Sequence, residues 1–307
     1  MNLIYNGVDI TENVMIQKCW HEMYAQGRSD ILTIRMNDEE GLWDKWNPQP
    51  GDEIEVREGN VRTGIMFFQS KVPRGSSIEI VATSVPVSAD NKRSKAWQDV
   101  HLLQIGREIS AIHELEFESY GVENEMYTYI LQKSESDFSF LNRLCILEGC
   151  AFLIYNKKLV LYSIEYMQNQ ETAERILLDS TAKYRMFNNE AHAYGSCELI
   201  KGDYEASFSE ENGSNKVYIP AFEFSVSDNT EALRFAKNLL NYANRMIYEG
   251  FFYTDTIFTE YMPGNILEIE VERSGSWNGK VFISKVRNDY VAGRSKVFFW
   301  KIKEGET

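Results

Sequence analysis

Alternation of apolar and polar positions dominates the first eighty residues. Leu3-Ile4-Tyr5 and Val8-Asp9-Ile10 flank Asn6-Gly7, the pattern of a tight hairpin. Ile31-Leu32-Thr33-Ile34-Arg35-Met36 alternates strictly and predicts a half-buried strand. Residues 37–50 read as a polar loop carrying Trp43 and Trp46, and Ile78-Glu79-Ile80-Val81-Ala82 is a further strand. The segment to about residue 86 reads as all-β with frequent turns, as in a small barrel.

One part of this pattern occurs twice. Pro50-Gly51-Asp52-Glu53-Ile54-Glu55-Val56 is followed, after a polar turn, by Gly64-Ile65-Met66-Phe67-Phe68. Pro263-Gly264-Asn265-Ile266-Leu267-Glu268-Ile269-Glu270-Val271 is followed, after a polar turn, by Gly279-Lys280-Val281-Phe282-Ile283. Pro-Gly suits the central positions of a type II turn, because proline fixes φ and glycine accepts φ > 0. Pro-Gly before a strand is a common local signal, but the chain has only six prolines. Both stretches read as the same β-hairpin, and so as marks of two related β-domains.

Between them the periodicity changes. Residues 87–96, with Lys92, Arg93 and Lys95, read as a solvated boundary loop. Trp97, Val100, Leu103, Ile109 and Ile112 make a helical stripe, with Ser94 as its N-cap. Glu116 to Tyr120 and Met126 to Leu131 read as strands. A helix buries Phe138, Leu141, Leu144 and Cys145 after a cap at Ser134 or Ser136, and Gly149 stops it. Cys150 to Tyr155 and Leu159 to Ile164 form a hairpin. Residues 168–190 carry little pattern beyond a short strand at Ile176-Leu177-Leu178. Strands return at Gly195 to Ile200, Tyr204 to Phe208 and Lys216 to Ile219, around a loop tip at Glu210 to Asn215 in which Gly213 should tolerate substitution. Asp228 with Glu231 caps a long helix at about 229–249, and Val297 to Ile302 is the last strand. The expected class is mainly β with an α+β insertion. The expected boundaries are a first domain at 1–88, an α+β module at 89–168 and a last domain at 169–307.

Composition narrows the function. At 43% hydrophobic and 13% aromatic over 307 residues, the chain can bury a substantial core. A net charge of −14 argues against stable nucleic-acid binding by a basic surface. No apolar run is long enough to insert in a membrane. The N-terminus lacks the basic and apolar regions of a signal peptide, so synthesis in the cytoplasm is expected. Cys19, Cys145, Cys150 and Cys197 form no paired motif and are expected to be reduced thiols.

Candidate chemistry is sparse. Cys19 and His21 would share a face of a strand, where packing is the ordinary reading and metal ligation the sharper one. His113-Glu114-Leu115-Glu116 is not the zinc pattern, because position 117 is Phe. The pairs Glu53/Glu55 and Glu268/Glu270 alternate with apolar residues and read as solvated sheet faces rather than an acid/base pair. No catalytic, cofactor or metal site is assigned, and the protein is expected not to be an enzyme. The residues singled out are turn positions: Pro50, Gly51, Gly64, Gly149, Pro263, Gly264 and Gly279.

The order of the pieces resembles a known family. Gln132-Lys133-Ser134-Glu135-Ser136-Asp137-Phe138, then Leu141, Arg143-Leu144 and Glu148-Gly149 before a hairpin, are similar to a pattern in the baseplate hub proteins of contractile phage tails and R-type bacteriocins, the late control protein D group. The hub part of the type VI secretion spike protein is a relative. Ile105-Gly106-Arg107-Glu108-Ile109 resembles the helix before that pattern, and the segment from Pro263 to Val286 resembles the last tube-like domain. The resemblance implies two tube-like β-barrel domains flanking the small α+β module. It implies a homotrimer of pseudo-sixfold symmetry that joins a sixfold tail tube to a threefold central spike, among other baseplate proteins of a phage tail or bacteriocin particle. After Lys303-Glu304-Gly305-Glu306-Thr307 no spike follows, so spike and lytic roles are expected on other chains. The competing class is a peptidoglycan- or carbohydrate-cutting enzyme of such a particle, which the acidic, aromatic-rich composition would suit.

Overall fold

A computed structural model describes residues 1–211, 213–258 and 262–303. Asn212 of the loop tip and Glu304 to Thr307 lie outside the described residues. The first part of the chain comprises β1 (Asn2–Tyr5), β2 (Val8–Asp9), β3 (Met15–Tyr24), β4 (Ile31–Asn37), α1 (Leu42–Trp46), β5 (Glu53–Glu58), β6 (Val61–Arg62), β7 (Met66–Arg74) and β8 (Ser77–Thr83). Strict alternation in β4 and β8 sends Leu32, Ile34, Met36, Ile78, Ile80 and Ala82 into one core with Leu3, Ile54, Val56 and Met66. The 37–50 loop is not wholly irregular: it holds α1, and Trp43 enters that core.

The middle part departs from the sequence reading in one respect. Residues 92–101 are not a boundary loop leading into a helix. They form β9 (Lys92–His101), and the helix α2 (Leu102–Ile112) begins only after it. Trp97 and Val100, three apart, imitate a helical stripe, but β9 has an extended antiparallel partner in β11 (Met126–Ser136), opposite Ile130 and Tyr127. The cap is therefore His101 and not Ser94; the Gln104 side chain returns to His101 N at 2.9 Å. β10 (Glu116–Tyr120), α3 (Asp137–Leu147), β12 (Cys150–Tyr155), β13 (Lys158–Ser163) and α4 (Ile164–Gln168) complete the part. Ser136 caps α3 by accepting from Ser139 N at 3.3 Å.

The rest contains β14 (Arg175–Leu178), β15 (Tyr184–Asn188), β16 (Ser196–Lys201), β17 (Tyr204–Ser209), β18 (Val217–Tyr218), α5 (Asn229–Asn244), β19 (Tyr248–Tyr253), β20 (Ile266–Val271), β21 (Gly279–Asp289) and β22 (Arg294–Lys301). Placing all of 169–307 in one domain does not describe the core. Cys197, Leu199, Phe224, Phe235, Ala236, Leu239 and Leu240 pack with Leu144, Ile105 and Phe152 of the middle part. The apolar face of α5 is thus covered by α3 and by the small sheet β17-β16-β18, while β14, β15 and β19 to β22 surround a separate core.

These last strands and the first part share one 14-stranded sheet. Its main path runs β15-β19-β22-β21-β3-β4-β8-β7-β5-β1-β2, with β20 joining β21 and β14 joining β20. Among the described residues no helix is long and apolar enough to cross a membrane.

Candidate functional site: a repeated sheet, its seam and a buried polar clasp

The sheet repeats itself internally. Read in one direction along the sheet, β15-β19-β22-β21 and, beyond the seam, β3-β4-β8-β7 occupy equivalent places, and β20-β14 adjoin β21 as β5-β1 adjoin β7. The repetition reaches individual hydrogen bonds. Gly51 N donates to Phe68 O (2.9 Å) and Phe68 N to Asp52 O (2.8 Å); Gly264 N donates to Ile283 O (2.8 Å) and Ile283 N to Asn265 O (3.0 Å). Asp52 N closes a turn onto Gln49 O at 3.0 Å, and Asn265 N onto Met262 O at 3.1 Å. Gly51 and Gly264 hold φ of 96° and 98°, the third-position geometry of a type II turn after Pro50 and Pro263.

The strand that follows each hairpin turn carries a β-bulge at the same place. Register slips between Phe68 and Ser70 against β8, and between Ile283 and Lys285 against β22. A bulge increases local twist and re-aims the strand beyond it, so both copies carry the same device at the same place. Gly64 and Gly279 open the equivalent strands; a Cβ on Gly64 would come within 3.1 Å of Asn156, where the β12–β13 turn of the middle part presses on the first. Ile54, Val56, Leu267, Ile269 and Val271 are all buried, whereas Glu55 and Glu268 are half-exposed and Glu270 exposed. One neighbour differs: β1 runs antiparallel to β5, but β14 runs parallel to β20.

The seam between the copies is β3 on the far half of β21, from Lys285 opposite Tyr24 to Asp289 opposite Trp20. Lys285 Nζ reaches Glu22 Oε1 at 2.8 Å. The two cores exchange side chains across it: Met23 packs in the core of the last strands, and Tyr290 in that of the first. Cys19 and His21 do share the inward face of β3. Burial raises the Cys19 thiol to about 12 and lowers the His21 imidazole to about 3, so the thiol is not a ready thiolate ligand. Asp30, whose Oδ1 accepts from Tyr24 N at 2.9 Å, has its carboxyl raised to about 8 by burial. Among the described residues no group of three or more His, Cys, Asp and Glu is arranged to hold a metal ion.

The middle part carries a buried polar clasp that sequence reasoning did not assemble. Asp137, at the first position of α3, accepts from His113 Nε2 at 3.0 Å, from Gln132 Nε2 at 2.8 Å and from Arg93 Nε. His113 Nδ1 lies 2.9 Å from Ser88 Oγ. Ser88, His113 and Asp137 are the residue types of an acyl-transfer triad, but here the carboxylate is shared among three donors and the imidazole lies against the Phe138 ring at 4.9 Å. The arrangement ties β9, β11, α2 and α3 together. Its trace in the sequence was the spacing of Gln132 and Asp137. A second tie fixes the far end of α3. Glu148 accepts from Tyr127 Oη (2.7 Å) and from both Nε (3.0 Å) and Nη2 (3.2 Å) of Arg234 on α5. Gly149, at φ 64°, follows the C-cap Glu148, and a Cβ there would meet Asn238 Oδ1 at 2.9 Å.

Three of the candidate carboxylates are held in ion pairs. Glu53 pairs with Lys157, Glu55 with Arg57 at 2.6 Å, and Glu268 with Arg175 at 2.5 Å, which holds the Glu268 carboxyl below its usual range. The loop tip is tighter than expected: a Cβ on Gly213 would lie 2.7 Å from Gly195 Cα and 2.9 Å from Gly195 O, so the expectation that it tolerates substitution is corrected.

This fold is shared with solved tail proteins of phage and prophage origin. The chain is similar in structure to the 43 kDa tail protein of prophage MuSo2 from Shewanella oneidensis, with a TM-score of 0.75 at 15% identity over 98% of this chain and 97% of that one. It is similar to a tail protein from Neisseria meningitidis, with a TM-score of 0.77 at 10% identity over 98% and 95%. An Escherichia coli component of the type VI secretion system, described as similar to the phage T4 tail proteins gp27 and gp5, matches with a TM-score of 0.63 at 12% identity over 99% and 77%. No protein-family model matches the sequence, and no curated protein matches it.

Proposed function

We propose that this chain is a structural hub subunit in the baseplate of a contractile injection particle. Three copies close into a ring of pseudo-sixfold symmetry, each contributing two tube-like units, and the ring joins a sixfold tail tube to a threefold spike. The observation that carries this reading is the repeated strand order on either side of the β3–β21 seam, since one chain then supplies two equivalent units to one wall. Pro50-Gly51 and Pro263-Gly264 serve as equivalent turns of those units, and Gly64, Gly149 and Gly279 as structural positions where strands and helices meet. The tail-protein fold supports a structural role, and the ion-paired carboxylates offer no acid/base pair for the competing cell-wall-cutting reading. Acidic positions such as Glu55, Glu268 and Glu270 then face the outside or the channel, where a negative wall would let a polyanion slide past. Mass photometry at micromolar concentration, alone and with tube and spike proteins, tests the assembly. The expected species has three times the 35.6 kDa of one chain. A strict monomer under every condition overturns the reading.

A further inference from the structure

The internal seam is a template for a contact that one chain cannot make with itself. In β21 the near half pairs with β20, the bulge follows, and the far half takes β3 on the same side, with Ala25 N donating to Ser284 O at 2.9 Å. In β7 the near half pairs with β5 and the bulge follows, but Ser70 to Arg74 pair only with β8. The strand that corresponds to β3 is β15, which pairs with β19 as β3 pairs with β4 and ends the sheet on its other side. The first copy of the repeat therefore has an open slot on β7 and the second an open strand, β15.

We propose that β15 of one copy of this chain adds to the far half of β7 of the next copy, in the register that β3 takes on β21. The proposal rests on the ring reading above. The repeat equates Val286 with Lys71, Asn288 with Pro73, Met23 with Asn188 and His21 with Met186, by way of the shared partners in β4/β19 and β8/β22. Transferring the seam sets Lys71 opposite Asn188, Val72 opposite Phe187 and Pro73 opposite Met186.

Backbone direction agrees with this register. Asn189 N donates to Ile247 O (2.7 Å) and Tyr253 N to Lys183 O (2.9 Å), so the odd-numbered residues of β15 face β19. Met186 and Asn188 therefore present their N–H and C=O groups at the open edge, as Ala25, just past β3, does towards Ser284. The free edge of β7 carries Pro73, which lacks an N–H. Proline on an edge strand discourages indiscriminate strand addition. In the proposed register it forfeits one bond while its carbonyl still accepts from Met186. Arg74 would meet Arg185, a like-charge pair that ends the ladder there. Val72 is 42% exposed and Phe187 half-buried, so their pairing covers apolar surface that a lone chain leaves wet.

Val72 and Phe187 form a non-hydrogen-bonded pair, whose Cα separation of about 4.5 Å suits a disulfide. The test is the full chain carrying Val72→Cys and Phe187→Cys, assembled and mildly oxidised. All four native cysteines are buried, so the introduced thiols are the reactive ones. Most of the chain should shift to covalent multimers up to a closed trimer on a non-reducing gel, whereas the single variants and Val72→Cys with Arg185→Cys stay largely monomeric. Trimers that form without this crosslink overturn the register and leave the hub reading standing. Crosslinks confined to open chains support the strand pairing and overturn the ring. Failure of the unmodified protein to assemble overturns both. Hydrogen exchange on the unmodified protein guards against a misfolded variant: the Met186 and Asn188 amides should become protected on assembly, and unchanged exchange in an assembled ring overturns the pairing.

Discussion

Replacing Asp137 by Ala removes the acceptor at the centre of the middle clasp. The Asp137 side chain is 4% exposed, that of His113 3%, and that of Arg93 31%. Arg93 can turn towards water once its partner is gone, but His113 and the fully buried Gln132 cannot. Each stranded buried donor costs about 1–3 kcal/mol. Breaking a buried ionic contact by deleting one partner costs about 3–5 kcal/mol, and the two descriptions overlap rather than add. The expected loss is therefore about 3–5 kcal/mol, or a fall in Tm of roughly 10 °C for a chain of this size. Thermal melts followed by near-UV circular dichroism measure it, and hydrogen exchange over residues 126–147 locates it. Arg93→Ala should cost less, because Asp137 keeps two donors. Glu171→Ala, in an exposed loop, should stay within about 0.5 kcal/mol of the parent. An Asp137→Ala protein within about 1 kcal/mol of that control would refute the clasp as a determinant of the module.

Two further outcomes are expected. Gly51→Ala and Gly264→Ala should each cost about 1–2 kcal/mol from their positive φ, with urea midpoints shifted alike, since neither new methyl meets an atom closer than 3.6 Å; clearly unequal shifts would deny that the turns are equivalent. Asp30 keeps its proton to about pH 8 in the folded state but releases it near 3.8 when unfolded, so this group makes stability fall as pH rises through that window. His21, lowered from 6.5 to about 3, has the opposite effect between those values, which leaves a net decline from about pH 6.5 to 8. Urea midpoints at both ends of that range should converge in Asp30→Asn, and an unchanged slope would remove Asp30 as its source.

Local chemistry was legible from the chain itself. The hairpin turns at Pro50-Gly51 and Pro263-Gly264, the alternation of β4 and β8, the cap of α5 at Asp228 and its apolar face all depend on residues within a few positions of one another. Their periodicity follows from backbone geometry alone. What covers each face was settled only in three dimensions. Trp97 and Val100 carry helical spacing, yet β9 is a strand because β11, some thirty residues on, offers it a ladder. The face of α5 shows that it is buried, but not that it packs on α3 rather than on the strands that follow it. Asp137 and Gln132 stood out as a spacing, while Arg93, His113 and Ser88 reached them from β9, the end of α2 and a preceding turn. The seam is the extreme case. β3 and β21 lie more than 250 residues apart, and each is an amphipathic strand that any edge of matching twist could take. Sequence determined that the hairpin exists twice; the tertiary structure decided that the two copies share one wall, because strand pairing selects a partner by bulge, register and complementary cores that no local window contains.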